Sequence, residues 1–362
     1  MTFDEARGQF PVFEQRAYLN AGTNGPLARA TVEAMAAQER AELEHGRGGP
    51  EYCEGALALR NEVRAKLASV VGVTPERLAL ATSTTNGCNI VLAGLSLGPE
   101  DEVVTTDGEH FGLLGALPVS HAQLRVARVR ELPLDEALDV LLREVTPRTR
   151  LLALSHVCWM TGNRFPVAEL KEATGLPVLV DGAQSVGAIP VDASQVDYYA
   201  FSCQKWLCGP DAMGGLALSD PESLRLAAPS YFSQEHHDPE GGFSPRAGAV
   251  RFDPGWTPPA SLAGLSAALD LRPEWGFERA AATAARCREA LAERFDVVTA
   301  GEPATLVTLR VDEDSAALVR RLSERGVVVR DIPGQGWIRV SCGWWTSDED
   351  LERLLDGLGA GP

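Results

Sequence analysis

Within the stretch 176–215, LPVLVDGAQSVGAIPVDASQVDYYAFSCQKWLCGPDAMGG, two side chains have the types and the placement for joint chemistry. Asp181 closes the apolar run PVLV, and Lys205 follows a second run, VDYYAF, by way of Ser202 and Gln204. Apolar runs of this length, bounded by Gly and Pro, read as buried strands. In an open α/β sheet the functional groups lie just beyond the carboxyl ends of the strands, so the pattern puts Asp181 and Lys205 on one rim. A lysine and an aspartate so placed suit pyridoxal phosphate: the amine condenses with its aldehyde, and the carboxylate pairs with its protonated ring nitrogen. Lysine is rare here. Of 33 Lys plus Arg, three are lysines, and Lys66 and Lys171 fall on amphipathic helical patterns that leave them in solvent. Arginine cannot take the part of Lys205, because a guanidinium stays protonated and is not nucleophilic.

Other residues could complete such a site. Ser83-Thr84-Thr85-Asn86-Gly87 lies between the strand pattern LALA and the helical pattern NIVLAGL. A helix N-terminus offers free N–H groups and a positive dipole end, so these hydroxyls read as an anion site as well as caps. His110 follows the strand EVVTTD and belongs on the same rim, where an imidazole can stack on an aromatic cofactor. Arg339 stands in WIRVS, an alternating strand, and reads as a bidentate carboxylate ligand or as half of a structural ion pair. His236 and His237, beside Asp238 in a polar loop, read as water-facing, and no metal site is assigned.

These residues need elements to hold them. Strand and helix patterns alternate over about 75–220, which predicts a mainly parallel sheet with helices on both faces. From 228 to 256 the sequence turns polar and Gly/Pro-rich, as a long functional loop would. Helix–strand–helix–strand–strand–helix patterns follow, predicting a smaller α+β domain. The expected division is a large domain over 17–256 and a small one over 257–362, joined by an N-terminal arm, 1–16.

Composition sets the bounds. A chain of 362 residues with 45% apolar content is ordinary for a globular protein with a large core. A net charge of −17 argues against a nucleic-acid surface and against an anionic membrane face. No apolar run is long enough to span a bilayer, and MTFDEARGQFPVF has no secretory pattern, so a cytoplasmic protein is expected. The cysteines at 53, 88, 158, 203, 208, 287 and 342 are scattered without a CxxC, which predicts neither a disulfide framework nor a zinc site.

With these pieces assembled, the chain resembles the class V aminotransferase/cysteine desulfurase family of fold-type I pyridoxal phosphate enzymes, over about residues 18–358. The resemblance rests on VDGAQS (180–185), DYYAFSCQKWLCGP (197–210), EH (109–110), LSHVCWMTG (154–162), RFDPGWTP (251–258) and IRVSCGWWTSDEDLERLL (338–355). It implies Lys205 as the cofactor lysine, Asp181 as the ring-nitrogen partner, His110 stacked on the ring and Gln184 at the ring hydroxyl. It further implies Thr84, Thr85 and Ser202 at the phosphate, Arg339 at the substrate carboxylate and Asn20 near the substrate. Thr257 resembles a residue that reaches the other subunit's phosphate, implying a homodimer. Two departures stand out: Gln204 replaces a usual histidine before the lysine, still able to donate to phosphate, and Trp159 replaces an asparagine near the ring hydroxyl. SHVxWxTG together with DYYAFxxxKWxxGPxxxGG is most similar to the cysteine/cystine C–S lyase branch.

That branch implies α,β-elimination on cysteine, cystine or a related amino acid, giving pyruvate, ammonia and a sulfur product. A desulfurase needs a nucleophilic cysteine on a mobile loop. The corresponding connection here is DIPGQG, with no cysteine, and Cys342 falls on a strand pattern. The alternatives are a transaminase or epimerase of the same family and a catalytically silent fold used for binding.

Overall fold

A computed structural model describes residues 1–301 and 304–359. Helix Phe3–Arg7 (α1) and strand Ala17–Tyr18 (β1) lead to two long helices, Arg29–His45 (α2) and Pro50–Val70 (α3). Strand Leu78–Ala81 (β2) runs into helix Thr84–Gly94 (α4), and strand Glu102–Thr106 (β3) into the short helix Phe111–Leu114 (α5). Next come strand Gln123–Ala127 (β4), helix Leu134–Arg143 (α6), strand Thr149–Ser155 (β5), helix Val167–Thr174 (α7) and strand Val178–Asp181 (β6). Strands Tyr198–Ser202 (β7) and Gly214–Leu218 (β8) precede a small hairpin, Gln234–His237 (β9) with Phe243–Pro245 (β10). Helices Pro259–Asp270 (α8) and Gly276–Ala292 (α9), strand Leu306–Arg310 (β11) and helix Ser315–Glu324 (α10) follow. Strands Val327–Val328 (β12), Arg330–Ile332 (β13) and Trp337–Ser341 (β14) and helix Asp348–Gly359 (α11) close the described chain.

Seven strands form the large sheet, in the order β2-β8-β7-β6-β5-β3-β4. All neighbours are parallel except β8, which runs against both β7 and β2. This is the mainly parallel sheet the alternation predicts. Such sheets are covered on both faces, which is why their strands read as continuous apolar runs. In β6, Val178 and Val180 face one core with Leu67 of α3, Leu141 of α6 and Leu265 of α8. Leu179 faces the other, with Val91 and Leu92 of α4 and Leu113 of α5. The period of two thus loads both faces, each buried Leu or Val contributing about 1.5–3 kcal/mol.

The smaller sheet, β11-β14-β13, is antiparallel. Its core joins Val307, Leu322, Ile338, Val340 and Leu354 to Ala17 and Leu19 of the N-terminal segment, and β1 pairs in parallel with β12. Arg7 in turn binds Asp350 at 3.0 Å. Leu262, Leu265 and Leu269 of α8 instead join the large-sheet core. On this packing we propose that the small unit takes residues 1–19 and that the large unit extends through Asp270. Among the described residues no helix is long and apolar enough to cross a membrane.

The polar stretch 228–256 is less free than its composition predicts. It contains the β9–β10 hairpin and is fastened by Asp253, whose Oδ2 pairs with Arg60 at 2.8 Å and Arg64 at 2.6 Å, both on α3. Its Oδ1 accepts from the Leu80 N–H at 2.8 Å, and all three charged side chains are buried. Two buried guanidiniums depend on one carboxylate. Asp253→Asn should therefore cost about 3–5 kcal/mol, the usual result of stripping a partner from a buried ion pair. Denaturant unfolding measures it, and a loss below about 1 kcal/mol would mean the stretch is held by something else.

Candidate active site

The sheet order sets the rim. β7, β6, β5 and β3 lie side by side and deliver Ser202 through Lys205, Asp181, Ser155 and Glu109-His110 to the same edge. Lys205 and Asp181 therefore stand at the ends of neighbouring strands on this rim. Asp181 is buried, with Oδ1 accepting from the Ala183 N–H at 2.9 Å, which leaves Oδ2 for another donor. Burial pushes its carboxyl upward, and the Lys205 charge pulls it back. Burial also lowers the Lys205 ammonium to about 8, against a smaller opposing pull from Asp181. Among the described residues, no hydrogen bond is made to its Nζ.

At the far side of the rim, Ser83 caps α4 by accepting from the Asn86 N–H at 3.1 Å, so its hydroxyl is engaged locally. Thr84 and Ser202 share a hydroxyl–hydroxyl bond of 2.6 Å, and the Thr84 N–H donates to Ser202 Oγ at 3.1 Å. Thr85 lies against Gly112, where any Cβ would come within 2.6 Å of its Oγ1. The α4 N-terminus thus carries a cluster of hydroxyls drawn from two elements. Gln204, two residues after Ser202, keeps a buried Oε1 with no partner.

His110 caps α5, its Nδ1 accepting from the Gly112 N–H at 3.0 Å, which leaves the proton on Nε2. Burial, then Lys205, holds its pKa below the usual histidine range. Trp159 stands edge-on to it, ring centres 5.2 Å apart. Arg339 is buried, its Nη1 donating to the Trp159 carbonyl at 2.9 Å and its Nη2 to Thr23 Oγ1 at 3.3 Å, while Nε has no partner. Asn20 accepts from Thr23 at 2.8 Å, so the N-terminal turn 20–23 joins the site. Gln184 donates to the Gly22 carbonyl at 2.8 Å and accepts from Trp206 Nε1 at 3.0 Å, so both ends of its amide already have one partner. Gly22 has no room for a side chain: a Cβ would meet Arg339 Nη2 at 2.7 Å and Gln184 Oε1 at 3.0 Å.

Thr257 is not joined to this rim; it accepts from Arg60 at 3.3 Å. His236 and His237 are exposed on β9. The sequence analysis missed Arg330, which sits directly across the β13–β14 ladder from Arg339 and so projects from the same face. Its nearest carboxylate is Asp331 at 4.0 Å. An arginine in VVVRDI, nine positions before one in WIRVS, was the available signal. It also assigned no role to Glu109 or Ser155, which it saw only inside motifs.

These groups fit pyridoxal phosphate. An unbonded amine, a carboxylate with a free oxygen, an imidazole at the rim and a hydroxyl cluster at a helix N-terminus match the aldehyde, ring and phosphate of that cofactor.

The family described as aminotransferase class-V matches residues 17–354. Isopenicillin N epimerase of Streptomyces clavuligerus is 32% identical, over 99% of this chain and 98% of its own. A probable cysteine desulfurase of Pseudomonas aeruginosa is 34% identical over 78% of each chain. The cystine C–S lyase C-DES, solved with its product cysteine persulfide, superposes with a TM-score of 0.89 at 29% identity, covering 98% of this chain and all (100%) of that one. A C-DES mutant holding glycine covalently linked to its pyridoxal phosphate cofactor superposes with a TM-score of 0.90, at 29% identity and covering 98% of this chain and 99% of that one.

Because the neutral amine is the nucleophile, attachment of pyridoxal phosphate to the apoprotein should speed up as pH rises through about 8. Borohydride reduction and peptide mass mapping should place the label on Lys205, and Lys205→Ala should carry none. A label on Lys66 or Lys171 at comparable yield would refute the assignment.

Proposed function

The chain belongs to the aminotransferase class-V family and is a pyridoxal phosphate-dependent enzyme, and from that premise we propose that it cleaves the β C–S bond of cystine or a related amino acid with a second carboxylate. The observation that carries the reading is the pair Arg330 and Arg339, two guanidiniums on one face, of which, among the described residues, Arg339 pairs with no carboxylate and Arg330 comes no nearer to one than 4.0 Å, to Asp331. Like charges directly opposite on a sheet repel. A substrate with a carboxylate at each end supplies both missing partners.

When bound, the cofactor supplies a protonated ring that withdraws the electron pair left behind by the Cα proton. The protein's part follows from its own groups. Asp181 holds the proton at the ring nitrogen, and its burial strengthens that contact. Thr84, Thr85, Ser202 and Gln204 would hold the phosphate at the α4 N-terminus, with Ser83 keeping that helix end in place. His110 would stack on the cofactor ring, and Gln184 could offer its remaining amide hydrogen to the ring hydroxyl. Arg339 fixes the substrate α-carboxylate, with Asn20 and Thr23 bordering it, and Arg330 takes the far one. Lys205 Nζ, kept from full protonation by burial, takes the Cα proton. Cystine plus water then balances to cysteine persulfide, pyruvate and ammonia.

A protein-bound persulfide has little support. Among the described residues only Cys53 is exposed, and it lies within the long helix α3. Contact with Cys287, then burial, raises the Cys342 thiol far above the usual range, and burial does the same for Cys203 and Cys208. The similarity to an epimerase supports a second reading, in which a proton returns to Cα and no C–S bond breaks. We also propose a cytoplasmic homodimer in which Thr257 reaches the partner's cofactor phosphate. Its neighbour Trp256 is 52% exposed and Tyr231 66%, which is the kind of aromatic surface an interface covers.

The test is to incubate holoenzyme with cystine, cysteine and a single-carboxylate β-thio amino acid, measuring pyruvate, persulfide and the stereochemistry of recovered substrate. Cystine should give pyruvate and persulfide in equal amounts. Arg330→Ala should raise KM for cystine about tenfold or more while leaving the single-carboxylate substrate within about twofold. Inverted substrate without pyruvate would establish the epimerase reading instead. Cys342→Ala should keep most of the elimination rate and lose about 1–2 kcal/mol of stability; an inactive variant would reopen a thiol relay.

A further inference from the structure

The rim has a gap. β3 and β5 pair through Glu102–Thr149, Val103–Leu151 and Val104–Leu152, and there the ladder ends. Thr105 and Thr106 remain paired with β4 on the other side, and Ala153 through Ser155 remain paired with β6. The two strands therefore part just before they deliver His110 and, by way of the Ser155–Asp181 pairing, Asp181. One side chain crosses the opening. Glu109 Oε1 accepts from Thr106 Oγ1 at 2.6 Å, and its Oε2 accepts from the Ser155 N–H at 2.9 Å and from Ser155 Oγ at 2.5 Å. The next residue continues the line, because the His156 N–H donates to the Asp181 carbonyl at 3.1 Å.

We infer that Glu109 is a positioning residue, a carboxylate strut that replaces the missing backbone ladder and sets the spacing between His110 and Asp181. The inference rests on the roles proposed above for those two residues, but not on the identity of the substrate. Glu109 is a costly way to fill a gap. It is buried, it has no cation partner among the described residues, and Asp181 adds a like charge nearby. Its carboxyl is pushed up to about 7, mainly by burial, with the three donors pulling the other way. An apolar residue would fill the volume without that strain but could not reach both strand ends. The strut ends on neutral donors, so its span and not its charge is what the arrangement uses.

Glutamine has the same reach and can still accept from the Ser155 N–H while its amide donates to Thr106. Holoenzymes carrying Glu109→Gln, Glu109→Ala and Ser155→Ala test the inference through pyridoxal phosphate dissociation constants and visible circular dichroism, which reports how rigidly an achiral chromophore is held. Glu109→Ala should weaken cofactor retention about tenfold and lose most of the visible signal, Ser155→Ala should lie between, and Glu109→Gln should stay within about twofold of the parent. Parent-like retention and dichroism in Glu109→Ala would overturn the strut, and so would Glu109→Gln behaving like Glu109→Ala. If Glu109→Ala fails to fold, the order of Ser155→Ala and Glu109→Gln decides: Ser155→Ala must be the weaker binder. None of these readouts requires turnover, so they stand even if cystine is not the substrate. A parallel His110→Ala variant with unchanged dichroism would remove the stacked partner and with it the inference.

Discussion

An amine that is to act near neutral pH, as proposed for Lys205, must leave water without gaining an acid to pair with, and the residues around Lys205 meet that constraint. Burial lowers its pKa, and Asp181, one strand away, offsets part of the shift without bonding to it. The backbone there is correspondingly fixed. Gly25 donates its N–H to the Gln204 carbonyl at 2.7 Å and lies so close to the Lys205 carbonyl that a side chain would overlap it. Cys208, three residues on, takes a left-handed backbone (φ 54°), and its N–H returns to the Lys205 carbonyl at 3.1 Å. A lysine on a free loop would hydrate and recover its ordinary basicity. The glycine turn and the buried strand end prevent that.

The same requirement explains why polar groups crowd a rim whose strands are otherwise apolar. Parallel strands bury both faces, so they can offer chemistry only at their carboxyl ends, where backbone groups lose their ladder partners and side chains must replace them. Ser202 takes the Thr84 N–H, Glu109 the Ser155 N–H, and Gln184 the Gly22 carbonyl, each across neighbouring elements. Every one of these bonds joins residues remote in sequence or on different strands. The rim is therefore as rigid as the sheet beneath it.

Much of this was legible in the sequence, for reasons that also mark the limit. PVLV–Asp181 and VDYYAF–Lys205 are short buried strands with punctuating glycines, and such runs fix both the element and the rim on which its last residue emerges. The parallel sheet and the α4 N-terminus followed from the same local patterns. What local patterns could not give was register across the chain. That Arg330 faces Arg339 depends on how β13 pairs with β14, and that Ala17 and Leu19 pack in the small core depends on a pairing with β12. The polar stretch 228–256 looked free because its anchor, Asp253, finds its two arginines on a helix nearly two hundred residues earlier in the chain. Glu109 looked like part of a motif, because a gap between two strands has no signature in either of them.

The opposed arginines also bear on what happens after bond cleavage. Arg339 makes one hydrogen bond from each Nη and leaves its Nε without a partner, while Arg330 is partly open to solvent, its side chain 41% exposed. The proposed substrate, with two carboxylates joined through its disulfide, would be held at both ends at once, so the second contact would form at high effective concentration. Breaking the β C–S bond divides it into two molecules, each left with one arginine. On that proposal, the half at the exposed Arg330 would keep only a solvent-screened contact, while the half at buried Arg339 would keep a contact shielded from water. One guanidinium buried and one partly exposed would thus give the proposed reaction an order of product release that two equally buried arginines would not.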